Sequence, residues 1–293
     1  MKETFIKIYL VGFTLAGILH LIGFLILYKV KDNLTNQRII TMNLAVTEMV
    51  SSWYQVILFA VLINGDMTPK WLLPDTFLTV IFHSIIRMIV ILIIADRFLD
   101  IYLNLKYPIY MDKTRLIVIT VILWILSAMF ASSMVLTIHF GVGPILVEKI
   151  LGYTFLALDI VITLFAILTY TYLYLCVKKM SEWDNSSGVN RNGSRKKAIY
   201  HKFKVPCLMV ASYLIFNVSG TILKTSVAFM SVGEQTWLLV FGISNILVIC
   251  GWISDAFIYV FLKKKIRIIL LSAITGKGNR VGSISPTTVT DSS

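Results

Sequence analysis

The sequence predicts an all-α membrane protein built as a bundle of seven transmembrane helices. Hydrophobic residues make up 57% of its 293 residues and the mean hydropathy is +0.83, whereas soluble domains contain about 45–50% apolar residues. The apolar residues form seven continuous runs near the roughly 20 residues needed to cross a bilayer. A membrane β-barrel would instead require alternation of apolar and polar residues. Helices are therefore the expected membrane-spanning elements.

These runs, numbered here as spans one to seven, set the order of the predicted helices. They cover residues 8–28, 39–63, 77–95, 116–138, 150–177, 205–229 and 237–262. The connections between them are short, so a single bundle without an attached soluble domain is expected.

Lysine and arginine are distributed unevenly between the two sides of this bundle. They are concentrated after spans one, three and five and in the tail, whereas the opposite side carries only Lys2, Lys7, Lys70 and Lys149. Because cytoplasmic loops carry the excess of basic residues, the amino terminus is expected outside the cell and the carboxyl terminus in the cytosol. The net charge of +12 is then explained by basic residues in the cytosolic connections, and no nucleic-acid partner is expected.

The chain after span seven has two parts. The sequence "KKKIRIILLSAI" combines basic and apolar residues, which is typical of a short amphipathic helix lying on the inner leaflet and contacting membrane lipids. The final "GSISPTTVTDSS" has the polar composition of a disordered segment. The predicted organisation is a membrane domain over residues 1–276 and a disordered cytosolic tail over residues 277–293.

Four motifs occur in the spans in a fixed order. Span two contains "NLAVTE" with Glu48, span three ends in "ADRFLDIYLNLKYPIYM", span four contains Trp124, and span seven ends in "DAFIY". Together they resemble the signatures of rhodopsin-like (class A) G protein-coupled receptors, with Glu48 replacing an aspartate and Ala256 replacing a proline. The resemblance covers nearly the whole chain and implies a plasma-membrane receptor.

The resemblance assigns a switch to the cytosolic end of the bundle. It implies that Arg97 pairs with Asp96 in one state and is released when span six swings outward to admit a heterotrimeric G protein. A buried pair can hold one state because removing either partner leaves a costly unpaired charge. The residues of this switch are Asp96, Arg97, Phe98, Tyr170, Tyr172 and Tyr259, of which Tyr259 and one span-five tyrosine would close around Arg97. The tail is expected to contact arrestin and a receptor kinase.

Span six departs from the family pattern. Where these receptors carry Cys-Trp-x-Pro, this chain has Phe216, Asn217, Val218 and Ser219. Pro206 is the remaining helix breaker and predicts a hinge nearer the cytosolic end. No acid is present at that end of span six to bind Arg97, which predicts raised basal activity.

Several ionisable residues lie within the predicted spans, where charges are costly and face the bundle interior with partners. His20, Glu48 and Asp255 are expected to line a central polar site that holds a shared proton or a sodium ion, or that is simply a hydrogen-bonded core. Arg87 and Asp159 are expected to form an ion pair between spans three and five.

The resemblance also narrows the ligand. Thr79 occupies the position of the aspartate that binds amines, so a biogenic amine is disfavoured. Ile249 occupies the position of the retinal-linked lysine of opsins, so no retinal or other cofactor is expected. The chain is most similar to the melanocortin, lipid, cannabinoid and adenosine receptor group in its absent outer disulfide, very short amino terminus, span five without proline and aspartate in "DAFIY". This resemblance leaves a lipid, a nucleoside-like molecule or a short peptide as the ligand. The pocket candidates are Thr79, His83, Asn217 and Lys224.

Other classes of protein fit these residues less well. An enzyme is not expected, because a catalytic zinc needs three clustered ligands and the four histidines fall in different segments. A transporter would favour internal repeats or interrupted spans, and neither is present in the sequence. A pseudo-receptor that does not couple, acting as a heteromer partner or scaffold, is the remaining alternative because the span-six departures also fit a lost switch.

Overall fold

The computed structural model of the chain describes residues 2–29, 35–63, 72–103, 106–186, 204–229 and 233–261. Its long helices are Lys2–Lys29, Asn36–Ile63, Leu72–Leu103, Lys113–His139, Pro144–Ser186, residues 204–229 and Glu234–Phe261, and a short helix, Tyr107–Tyr110, follows span three. Seven helices are long and apolar enough to cross a membrane. The predicted helical fold with seven spans is confirmed for these residues. The predicted inner-leaflet helix and disordered tail lie outside them.

The helices are longer than the apolar runs that predicted them. Span five continues to Ser186 and span three begins at Leu72, beyond the predicted limits at residues 177 and 77. The reason is that hydropathy marks only the part of a helix that suits lipid, whereas backbone hydrogen bonding continues through the polar turns at its ends.

Span three lies at the centre of the bundle. It packs against spans two, four and five. Of the most apolar stretch of span three, 61% of the residues are buried, compared with 17% in spans four and five. Ile85, Ile89 and Ile94 are fully buried. Spans four and five expose apolar side chains such as Ile125 and Leu168, as expected for helices that face lipid.

The short helix between spans three and four positions one tyrosine against the bundle. It covers only Tyr107–Tyr110 and begins with Pro108 in its first turn, where proline is tolerated because the N–H is not needed. Span four then begins behind Asp112, whose side chain accepts a hydrogen bond from the Arg115 backbone N–H at 2.7 Å. This N-cap satisfies a free donor of the helix.

Span six contains a local widening of its helix. Residues Tyr213–Val218 form a π-helical segment, whereas residues 204–212, which include Pro206, remain α-helical. The irregularity therefore lies at the segment that replaces Cys-Trp-x-Pro, whereas the backbone at Pro206 is regular in this conformation. A π segment adds one residue to a turn, so it rotates the faces of span six relative to a regular α-helix.

Candidate functional site

Arg97 is buried at the end of span three and folds back onto its own helix. Its Nε donates to Asp96 Oδ2 at 2.9 Å and its Nη2 donates to the same oxygen. Its Nη1 lies 3.6 Å from Asp100 Oδ2. Both members of the Asp96–Arg97 pair are buried. Span six offers no acid here, as predicted, but span three itself supplies a second carboxylate through Asp100.

The other oxygen of Asp96 is held by the short helix after span three. Tyr107 donates its hydroxyl hydrogen to Asp96 Oδ1, and Asn36 Nδ2 donates to the Tyr107 hydroxyl at 2.9 Å and to the Met111 carbonyl at 2.7 Å. Burial, and then the hydrogen bond to Asp96, raises the pKa of Tyr107 above its ordinary value. The phenol therefore stays protonated and remains a donor at physiological pH. The Asp96 carboxylate is therefore bonded to Arg97 and Tyr107, and Asn36 of span two in turn bonds Tyr107.

The remaining residues predicted for the switch fall in different places. The Tyr170 hydroxyl is buried and has no hydrogen-bond partner among the described residues, whereas Tyr172 is 40% exposed and packs on Phe98 with ring centroids 5.7 Å apart. Two residues apart on a helix point in nearly opposite directions, so Tyr170 faces the bundle and Tyr172 does not. Of the two span-five tyrosines predicted for the switch, Tyr170 is the one that this conformation places on the bundle side.

Span six closes over Arg97. Pro206 and Met209 lie beside Asp96 and Arg97 around a cavity of only about 10 Å³. This volume holds no more than a water molecule. A helix of a partner protein therefore has no room there unless span six moves.

A second polar cluster lies in the centre of the bundle and joins spans one, two and seven. His20 Nε2 is 3.4 Å from Glu48 Oε2, and His20 Nδ1 shares a hydrogen bond with the Tyr259 hydroxyl. The Glu48 and Asp255 carboxyl groups lie within hydrogen-bonding reach of each other. All four side chains are buried. The prediction that His20, Glu48 and Asp255 lie together is confirmed, and Tyr259 joins them instead of Arg97.

This cluster lacks part of its hydrogen-bonding complement. Both Glu48 oxygens and Asp255 Oδ1 have no hydrogen-bond donor among the described residues. Two carboxyl groups in contact at this depth require a shared proton or a cation between them. Within the described residues no group of three or more His, Cys, Asp or Glu side chains has the geometry of a metal site. A shared proton fits these residues more simply than a multivalent metal.

A third cluster joins spans three, five and six through Arg87. Its Nε and Nη2 donate to the two oxygens of Asp159, each at 3.0 Å, which is the bidentate geometry that arginine favours. Its Nη1 donates to the His83 carbonyl at 3.0 Å and its Nη2 also donates to Thr221 Oγ1 at 2.8 Å. The predicted Arg87–Asp159 ion pair is present.

The sequence did not reveal the partners that complete this third cluster. Tyr213, in the π segment of span six, donates its hydroxyl hydrogen to Asp159 Oδ1. The Phe155 ring lies 4.3 Å from the Arg87 guanidinium carbon, which places the cation over an aromatic face. A tyrosine and a phenylalanine in apolar helices carry no signal that separates a polar partner from ordinary packing.

A cavity of about 840 Å³ occupies the half of the bundle opposite Arg97. The four pocket residues predicted from the sequence, Thr79, His83, Asn217 and Lys224, all line it. Asp75 also lines it and accepts hydrogen bonds from the Tyr54 hydroxyl and from Thr79 Oγ1, the latter at 3.2 Å. The acid missing at position 79 is therefore present one helical turn away.

Comparison with protein-family models and with curated proteins gives no match for this sequence. The functional interpretation therefore depends on the three clusters, the cavity and the motif resemblance.

Proposed function

We propose that the protein is a rhodopsin-like G protein-coupled receptor that transmits an extracellular signal to heterotrimeric G proteins. The observation that carries the proposal is the buried Asp96–Arg97 pair at the end of span three, covered by span six. A buried pair on one helix stores a charge that a movement of its cover can release. Release would open the space in which a G protein inserts.

The path from cavity to switch runs through span six. Within six consecutive residues, Ser212 faces Asp255, Tyr213 bonds Asp159, and Asn217 lines the cavity. A ligand that displaces Asn217 would therefore turn span six about the bond between Tyr213 and Asp159 and shift Ser212 relative to Asp255. Rigid helices transmit such a displacement to their far ends, where span six lies against Arg97.

Topology and location belong to the same proposal. The basic connections place the amino terminus outside and the Arg97 end in the cytosol of a plasma-membrane protein, where arrestin and a receptor kinase would meet the tail. The central cluster would hold a shared proton or a sodium ion that biases the switch. A signal that is flat between pH 5.5 and 8 and indifferent to replacement of sodium would remove this last role.

The test is ligand-free G protein activation in cells with matched surface amounts of wild type, Arg97→Ala and Arg115→Ala, measured for each alpha subfamily. Arg115 is the control at the same end of the bundle, because its side chain is 58% exposed and its described contacts are with Asp112 and with the Ile109 and Tyr110 carbonyls, not with Asp96 or Arg97. We expect activation in wild type and in Arg115→Ala, and its loss in Arg97→Ala.

Two other outcomes would change the conclusion. Equal activation in wild type and Arg97→Ala would contradict the assigned switch. No G protein activation in any of the three proteins would favour the alternative of a non-coupling pseudo-receptor that acts as a heteromer partner or scaffold, unless a ligand restores activation.

A further inference from the structure

Span seven is attached to span one in different ways at its two ends. At the outer end, which borders the large cavity, the helices are in close apolar contact, because a Cβ atom added at Gly242 would lie 2.7 Å from the Phe5 ring. At the inner end, the described polar contact between the two helices is the hydrogen bond between His20 Nδ1 and the Tyr259 hydroxyl. Tyr259 lies in the last turn of span seven. A directional polar bond therefore holds the end of span seven that lies on the Arg97 side of the bundle.

The His20 ring lies between two other side chains of the central cluster. Its Nδ1 faces the Tyr259 hydroxyl, and its Nε2 is 3.4 Å from Glu48 Oε2. Asp255, which faces Glu48, lies one helical turn before Tyr259 on the same face of span seven. All four side chains are buried, so water does not replace a bond that breaks here, and the bond is a stronger restraint than the same bond at a surface.

Span six presses against span seven about two helical turns before Tyr259. A Cβ atom added at Gly251 would lie 2.9 Å from Asn217 Nδ2 and 3.1 Å from Phe216 Cβ. Glycine is therefore required at this position for the π segment of span six to approach so closely.

This contact links the cavity to the inner end of span seven. A displacement of Asn217, which lines the cavity, would push the backbone of span seven at Gly251. Close-packed helices pass such a push along their length, so the turns of span seven beyond Gly251 would follow unless a bond restrains them. The bond between His20 and Tyr259 is in the position to do so.

We propose that His20 is a positioning residue that latches the inner end of span seven, through Tyr259, in the closed conformation. Spans six and seven are in contact at Gly251, so holding Tyr259 also limits how far the inner part of span six moves away from Arg97. The closed state is then restrained without a charged bond between spans three and six. This inference rests on the proposed receptor function and deepens it, because it adds a restraint on the same switch.

The experiment measures opening of the inner end directly, so it does not depend on coupling to a G protein. The three native cysteines, Cys176, Cys207 and Cys250, are replaced by serine in the full chain. Met209→Cys is then the reporter, because Met209 is 3% exposed and lies beside Arg97. The purified protein in lipid nanodiscs is reacted with a hydrophilic maleimide. When closing is faster than labelling, the labelling rate follows the population of the open state.

Variants on both sides of the bond test the latch. His20→Leu should raise the labelling rate about two- to tenfold, the effect of losing one hydrogen bond of ordinary net strength. Tyr259→Phe removes only the hydroxyl and should raise the rate by a similar factor. The double variant should label no faster than the faster single variant, because both changes break the same bond. Tyr9→Phe is the matched control: it removes a buried hydroxyl that bonds Asn245 of span seven nearer the outer end, and the rate should stay at the wild-type value.

Two amide variants identify the ring nitrogen that acts. The side-chain amide of asparagine reaches the position of Nδ1, which faces Tyr259, whereas that of glutamine reaches the position of Nε2, which faces Glu48. An amide offers both donors and an acceptor. His20→Asn should therefore keep the wild-type rate, and His20→Gln should label as fast as His20→Leu. A merely structural role would favour glutamine instead, because its size is closer to that of histidine.

An unchanged rate in both His20→Leu and Tyr259→Phe would overturn the latch, and so would a double variant whose effect is the product of the two single effects. If His20→Leu fails to fold, Tyr259→Phe and the two amide variants decide the question. Faster labelling without Arg97-dependent G protein activation would leave the latch standing and the receptor function refuted. Arg97-dependent activation with unchanged labelling rates would do the reverse.

Discussion

Span three carries two buried arginine–carboxylate pairs, and they are built differently. Arg87 reaches across to Asp159 on span five, in a bidentate pair that Tyr213 and Thr221 of span six complete. Arg97 instead binds its sequence neighbour Asp96 and lies near Asp100 on the same helix. The first pair ties three helices together, whereas the second makes no charged bond to span six among the described residues.

This difference suggests different roles for the two arginines. Separating span three from span five would leave both Arg87 and Asp159 buried without a charged partner. This cost holds that end of the bundle together. Moving span six away from Arg97 breaks no described ion pair, because both acids stay on span three. We therefore infer that the Arg87 cluster is a fixed pivot and that the Arg97 end is the part that opens.

The largest expected effect is at the pivot. Asp159→Asn removes the charge opposite Arg87 and should lower the free energy of unfolding by about 3–5 kcal/mol, as for other broken buried pairs. The measurement is the thermal unfolding midpoint of the purified protein, together with its surface expression. Glu3→Gln, which breaks an exposed pair, is the control and should leave the midpoint unchanged.

A double variant separates charge from shape at the same place. Arg87→Met with Asp159→Leu leaves no unpaired charge and should recover much of the stability that Asp159→Asn loses. A midpoint for Asp159→Asn equal to that of Glu3→Gln would contradict the role of the Arg87 cluster as a pivot.

The second expected effect concerns the opening end. Asp96→Asn weakens the hold on Arg97 and should raise ligand-free G protein activation about tenfold or more, because a charge-assisted bond of about 1.5–3 kcal/mol is lost from the closed state. Stability should fall less than in Asp159→Asn, since Asp100 still faces Arg97 and Tyr107 can still donate to the amide oxygen. Severe unfolding without increased signalling would erase the distinction between the two pairs.

The fold was predictable because the membrane imposes it. Seven apolar runs require seven helices, since backbone groups in lipid must be satisfied within each segment. The Arg87–Asp159 pair was predictable for a related reason. Charged side chains inside a membrane need partners, and few other charged groups lie at the same depth as these two. Hydropathy and charge alone were therefore enough to predict the seven-helix architecture and the Arg87–Asp159 ion pair.

The uncharged partners were not predictable from the sequence. Tyr107, Asn36 and Tyr213 look like interfacial or packing residues until the helices are placed, because a neutral hydroxyl or amide can also bond its own backbone or water. The π segment at Tyr213–Val218 was hidden for another reason. It changes only the hydrogen-bond register of the backbone, so the same residues also fit an ordinary α-helix.

The smallest expected effects come from removing one tyrosine hydroxyl at the Arg87–Asp159 pair and one at the Asp96–Arg97 pair. Tyr213→Phe and Tyr107→Phe each remove a single hydroxyl that donates to a carboxylate of the pair, with the ring retained. Tyr213→Phe should lower the unfolding free energy by about 1–3 kcal/mol with little change in basal activation per folded receptor. Tyr107→Phe should do the reverse, raising basal activation about two- to tenfold with a small change in unfolding midpoint.

The raised pKa of Tyr107 adds a pH signature to this comparison. A phenol with a raised pKa keeps its proton, so its contribution to the closed state is complete below the ordinary tyrosine value of about 10 and is lost only as pH rises through the higher folded value. Basal activation in wild type and in Tyr107→Phe should therefore differ by a constant factor from pH 7 to 9. A factor that shrinks across this range would mean that the phenol loses its proton there. The hydroxyl of Tyr107 would then not be the donor that holds Asp96.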